Sequence, residues 1–132
     1  MSQPIHTNQA PEFPLPFSQA LRAGDFVYVS GQVGVDPGTR QVVGSTIGEQ
    51  TVQCLRNIET ILQAAGLTLD HVVKTNAFLS RPEDIPGYNQ AYEQTMKRPF
   101  PARTTVVSGI GDYLVEIDVV AYAPSFRGEG EG

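Results

Sequence analysis

Three side chains toward the C-terminal end hold most of the chemistry in this chain: Arg103, Glu116 and Asp118. Arg103 sits in Pro99-Phe100-Pro101-Ala102-Arg103-Thr104-Thr105-Val106-Val107-Ser108, and the two acids sit in Tyr113-Leu114-Val115-Glu116-Ile117-Asp118-Val119-Val120-Ala121-Tyr122. A guanidinium is planar, always charged, and can grip a carboxylate through two parallel hydrogen bonds, which a lysine does less well. A carboxylate beside it can hold a water or move a proton. Both segments are β-branched runs joined through Gly109-Ile110-Gly111-Asp112, so they read as a hairpin. Alternation puts Val115, Ile117, Val119 and Ala121 on one face, and Leu114, Glu116, Asp118, Val120 and Tyr122 on the other. Acids on a half-apolar face need a partner, and Arg103, on the neighbouring strand of that hairpin, is the nearest cation in sequence. A structural Arg–acid cross-strand pair and a functional site both satisfy that need.

Other chemistries find less support. Cys54 is the single cysteine, which excludes an intrachain disulfide, and it lies inside a helical pattern that suits a buried, inert thiol. His6 and His71 are remote from each other and have no cysteine or paired acids near them, so no zinc site and no cofactor are expected. A net charge of −5, with the basic residues scattered, argues against tracking a phosphate backbone, so no nucleic-acid partner is expected. No apolar run reaches the ~20 residues of a membrane span, and Met1 to His6 does not resemble a secretory signal. The expected location is cytoplasmic.

At 132 residues, 40% hydrophobic and 17% charged, the chain should form one domain burying about two-thirds of its unfolded surface. Ser18–Leu21 and Phe26–Ser30 form a candidate hairpin turning at Ala23-Gly24-Asp25. Gly31, in Ser30-Gly31-Gln32, marks either a bulge or a close approach of backbone or ligand, and Asp36-Pro37-Gly38-Thr39 a turn. Thr46-Ile47-Gly48-Glu49 has the spacing of a capping box. The helix it opens carries Val52, Leu55, Ile58, Ile61, Leu62 and Ala65 on one face and ends at Gly66. His71–Leu79 reads as a central strand because both faces carry apolar groups. A second helix follows Arg81-Pro82-Glu83-Asp84, with Asp84 as N-cap and Ile85, Tyr88, Ala91, Tyr92, Thr95 and Met96 on its apolar side. Residues 1–124 make up the domain, and the polar, Gly-rich segment 125–132 is expected to be a mobile tail.

The order β-β-α-β-α-β-β implies an α+β fold whose two helices cover one face of a mixed sheet. Nothing remains to cover the second face, where Leu114, Val120 and Tyr122 join either Phe26 and Tyr28 or Val27 and Val29. A patch of that size predicts a homo-oligomer.

Pro101-Ala102-Arg103, followed by a strand, a Gly-rich turn and Val115-Glu116-Ile117, resembles the signature of the RidA family, also called YjgF/YER057c/UK114 or L-PSP. Ser30-Gly31-Gln32, Ala64-Ala65-Gly66-Leu67, Val73-Lys74-Thr75 and Tyr88-Asn89 fall in the same order, so the resemblance covers nearly the whole chain. It implies a chorismate-mutase-like fold, a homotrimer with ligand clefts between subunits, and hydrolysis of 2-enamine or 2-imine carboxylates such as 2-aminoacrylate and 2-iminobutanoate to 2-oxo acid and ammonia. Arg103 would then orient the substrate carboxylate and Glu116 serve as acid and base, with Phe17, Ser30, Gly31, Asn89 and Thr105 lining the cleft. Phe17 stands where active members commonly have Tyr, Thr105 where Cys is frequent, and Thr104 where Ser is usual. The first change makes the pocket more apolar without touching the carboxylate clamp. The alternatives are a non-catalytic carboxylate-binding regulator and, with less support from the residues, an endoribonuclease.

Overall fold

A computed structural model describes residues 2–124, so the tail expected over 125–132 lies outside the described residues. Six strands form one sheet: β1 (Gln3–Ile5), β2 (Ala20–Ala23), β3 (Phe26–Val33), β4 (Val72–Leu79), β5 (Ala102–Val107) and β6 (Val115–Tyr122). Two helices, α1 (Ile47–Gln63) and α2 (Ile85–Thr95), lie on one face. The strand order is β1-β2-β3-β6-β4-β5, and all neighbours are antiparallel except β4 and β5. This is the expected α+β architecture with one added edge strand, β1, too short and polar to be noticed in the sequence.

The first hairpin turns where expected, over two residues with Gly24 at φ 61°, although β2 starts at Ala20 and β3 runs on to Val33. A register shift between Val29 and Gln32 shows that Ser30-Gly31 is a bulge. Thr46 and Glu49 close the expected capping box, and Gly66, at φ 78°, ends the helix as Leu67 N–H returns to the Leu62 carbonyl. Leu55, Ile58, Ile61 and Leu62 are fully buried against Val115, Ile117, Val119 and Ala121 of β6 and Val27 and Val29 of β3. Buried Asn57 adds a polar pin, donating to the carbonyls of Val33 (3.1 Å) and Val35 (3.0 Å). Asp84 does not cap α2 with its side chain. Its carboxylate instead accepts two hydrogen bonds from Arg81, at 2.9 and 3.0 Å.

The expected hairpin between residues 99–108 and 113–122 does not form. The β4–α2–β5 connection is a crossover that lays β5 parallel to β4, and β6 inserts between β3 and β4. Burial explains the outcome. Alternate residues of β6 are fully buried, so both its edges are best paired inside the sheet, whereas the mostly exposed β5 suits an edge. On the face away from the helices, Phe26, Tyr28 and Tyr122 remain 38%, 49% and 41% exposed, which decides between the two sets expected there. Leu114 precedes β6, and its N–H is held by Gln50 Oε1 at 3.0 Å.

Candidate active site

Arg103 lies opposite Thr75 of β4, on the helix side of the sheet. Its guanidinium carbon is 5.4 Å from the Tyr88 ring centre and 5.1 Å from that of Tyr92. Such a seat holds a cation by electrostatic attraction to the ring faces. Tyr92 is itself fixed, donating to Thr75 Oγ1 at 3.0 Å. Asn89, Tyr92, Glu93, Phe100, Pro101 and Arg103 line a pocket of ≈ 260 Å³. Asn89, Tyr92 and Glu93 reach it from α2 because positions three and four apart share a helix face. Sequence reasoning counted Tyr92 only as core and did not single out Glu93 or Phe100; the spacing from Asn89 was the available signal.

Glu116 leaves the sheet on the other side. It lies opposite Phe78 of β4 and Val33 of β3, next to Ile117, whose side chain is buried under the helices. β4 stands between β5 and β6, so the expected cross-strand pair of Arg103 with Glu116 or Asp118 does not form among the described residues. Asp118 instead accepts from Asn76 Nδ2 at 2.9 Å, a neighbour on β4. Burial raises the Glu116 pKa above the usual 4.5, and the nearby Asp118 adds to the effect. The carboxyl lies over Gly31, where any Cβ would strike it. The glycine at the bulge is therefore what lets Glu116 rest against β3.

The other expected residues divide between these two places. Ser30 and Phe17 belong to the Glu116 side of the sheet, and with Ser18, Leu21, Tyr28 and Val29 they line a pocket of ≈ 330 Å³. Ser30 Oγ donates to the Ser18 carbonyl at 2.6 Å and Ser30 N–H to the Gln19 carbonyl at 2.9 Å, so this serine fastens the Phe17 segment to β3. Phe17 is 45% exposed. Asn89 is beside Arg103. Thr105 faces the helix side opposite Ala77, its hydroxyl buried and without a hydrogen-bond partner among the described residues. Thr104 points the other way and accepts from Lys74 Nζ at 2.9 Å.

Cys54 donates its thiol to the Gln32 carbonyl at 3.0 Å, and complete burial pushes its pKa far up, which keeps it a thiol rather than a nucleophile. Among the described residues, no three His, Cys, Asp or Glu come together as a metal site would require, and no helix is long and apolar enough to cross a membrane.

A family model described as Endoribonuclease L-PSP matches residues 7–123. A RutC family protein of Saccharolobus solfataricus is 43% identical over 123 residues, spanning 92% of this chain and 98% of that protein. The Homo sapiens protein named 2-iminobutanoate/2-iminopropanoate deaminase is 40% identical over 119 residues, 89% of this chain and 87% of its own length. The crystal structure of RidA from an Antarctic Psychrobacter superposes with a TM-score of 0.86 at 36% identity, covering 91% of this chain and 98% of that one. With its six-stranded mixed sheet and two helices on one face, the chain belongs to the Endoribonuclease L-PSP family, the RidA or YjgF/YER057c/UK114 family that its sequence resembles.

Proposed function

We propose that this protein hydrolyses reactive 2-enamine and 2-imine carboxylates, of the 2-aminoacrylate and 2-iminobutanoate type, to 2-oxo acid and ammonia. The reaction takes place in clefts shared by neighbouring protomers of a homotrimer. One observation carries the reading: Arg103 and Glu116 leave opposite faces of the sheet, yet each is prepared for a ligand, one on an aromatic seat beside a pocket and one on a glycine. A second copy brings such halves together, and the exposed Phe26, Tyr28 and Tyr122 supply apolar surface for its docking.

Arg103 of one protomer grips the substrate carboxylate, with Asn89 beside it. Glu116 of the next takes a proton from water as the water oxygen adds to the carbon of the protonated imine, the electrophile, which an enamine reaches by taking a solvent proton at its β-carbon. The resulting carbinolamine has hydroxyl and amine on one carbon. Glu116 returns the proton to nitrogen, the C–N bond breaks, ammonia leaves, and loss of the hydroxyl proton gives the 2-oxo acid. A carboxyl group whose pKa is raised by burial is better able to keep the proton between the two halves of that cycle. The relative named as a deaminase of these imines supports the substrate class. Phe17, exposed and without a hydroxyl, favours a second reading in which the same clamp binds a carboxylate metabolite without turnover.

The test is complementation. Arg103→Ala and Glu116→Ala are assayed with an imine-generating dehydratase, following 2-oxo acid release, first separately and then after the two are unfolded and reassembled together. Each alone should lose about a hundredfold or more in activity, and random reassembly should restore about a quarter of the clefts. Full activity in both variants rejects the site, and two inactive variants that never complement reject its sharing between chains. Carboxylate binding by a wild-type protein that releases no 2-oxo acid selects the regulatory reading.

A further inference from the structure

Tyr88 lies wholly inside the protein, between α2 and the sheet, with its ring centre 5.6 Å from that of Tyr92. Tyr92 spends its hydroxyl on Thr75, but the Tyr88 hydroxyl has no hydrogen-bond partner among the described residues. A buried hydroxyl left unpaired is costly, and a core position has no use for it, since phenylalanine would fill the same space. Thr105, the next helix-side residue of β5 after Arg103, holds the second unspent hydroxyl of this corner. The Arg103 guanidinium is close enough to the phenol to act on its ionisation, opposing the upward push of burial, which dominates and keeps the phenol neutral.

A guanidinium has five N–H donors, of which a carboxylate takes two in the fork geometry. The remaining donors must be held if the fork is to face the pocket rather than sweep through it. Arg103 stands on an exposed edge strand, where the rings of Tyr88 and Tyr92 restrain it and the Tyr88 hydroxyl is within its reach. We propose that Tyr88 is a positioning residue for Arg103: its ring seats the guanidinium and its hydroxyl accepts an inward N–H when a ligand carboxylate takes the outer pair. This rests on the proposed role of Arg103 as the carboxylate clamp.

The test uses substitutions with opposite consequences for stability and binding. Tyr88→Phe removes an unpaired buried hydroxyl, so the unfolding temperature should stay level or rise. The same variant should bind 2-oxobutanoate about tenfold more weakly by calorimetry and raise KM for the imine similarly, with kcat within about twofold. In an Arg103→Lys background, Tyr88→Phe should cost nothing, because the fork it positions is gone. Unchanged 2-oxobutanoate binding in Tyr88→Phe, or an equal loss in both backgrounds, overturns the assignment. If Arg103→Ala binds 2-oxobutanoate like the wild type, the clamp fails and this inference with it. If Arg103→Ala loses binding while Tyr88→Phe keeps it, only the role of Tyr88 is lost.

Discussion

The Arg103 corner and the Glu116 corner reach a similar state of preparation by different means. Arg103 is on an edge strand, restrained from outside its own strand by the rings of Tyr88 and Tyr92 on α2. Glu116 is on an interior strand, placed by the absence of a side chain at Gly31. One corner adds aromatic surface around a cation, while the other removes a methyl group beneath an anion. The contrast teaches that the two groups are not a misassembled ion pair. Each has its own support, on opposite faces of the sheet, and neither support depends on the other charge.

Removing the charges should break the comparison most severely. Glu116→Ala should lower kcat by roughly 10²–10⁴-fold if the carboxyl moves the proton. Arg103→Ala should cost about a hundredfold in kcat/KM, chiefly through KM, as expected on losing a charged hydrogen-bond pair. Steady-state imine hydrolysis reads both, and a Glu116→Ala defect confined to KM would make the carboxyl a binding group only.

Attacking one support sharpens the contrast further. In Gly31→Ala the new methyl displaces the end of a flexible side chain, not backbone, so the fold should survive with little change in melting temperature. Activity should fall about tenfold, because misplacing a reacting group is costly even in an intact fold. A large loss of melting temperature with normal activity in the folded fraction would show Gly31 serving the bulge alone.

A pH series tests the environment of Glu116. Burial holds its folded pKa above 4.5, so the ionised carboxyl opposes folding; that opposition is complete above the folded pKa and absent below about pH 4.5. Glu116→Gln should therefore melt higher than the wild type at neutral pH, and the gap should close as the solution is acidified through the folded pKa. A gap independent of pH would contradict the burial. The smallest effect belongs to a control far from both corners: Thr46→Ala, which removes the cap of α1, should cost about 1 kcal/mol in chemical denaturation and leave activity unchanged.

Local signals in the chain were reliable wherever a short stretch contained its own reason. Thr46-Ile47-Gly48-Glu49, four residues that close on themselves, announce α1, and Gly24 and Gly66 mark reversals that demand a positive φ. Period-two alternation sorted β6 correctly into a buried and an open face. Pairing was another matter. Residues 99–108 and 113–122 looked like a hairpin because they are adjacent and β-branched, but adjacency says nothing of which strand most needs both edges covered. Asp84 showed the same limit on a smaller scale, since Arg81 competes for the carboxylate that was assigned to the helix end.

The order of residues by itself determined the family, the helices, the faces of the strands and the identity of the charged groups, because these follow from residue types and their spacing along the backbone. Only the tertiary structure decided that β4 stands between Arg103 and Glu116, that Tyr88 and Tyr92 are the floor under the guanidinium, and that Gly31 leaves room for the carboxyl. These depend on strand order and on side chains distant in sequence meeting across the sheet, choices governed by the total burial of the molecule and not by any single segment.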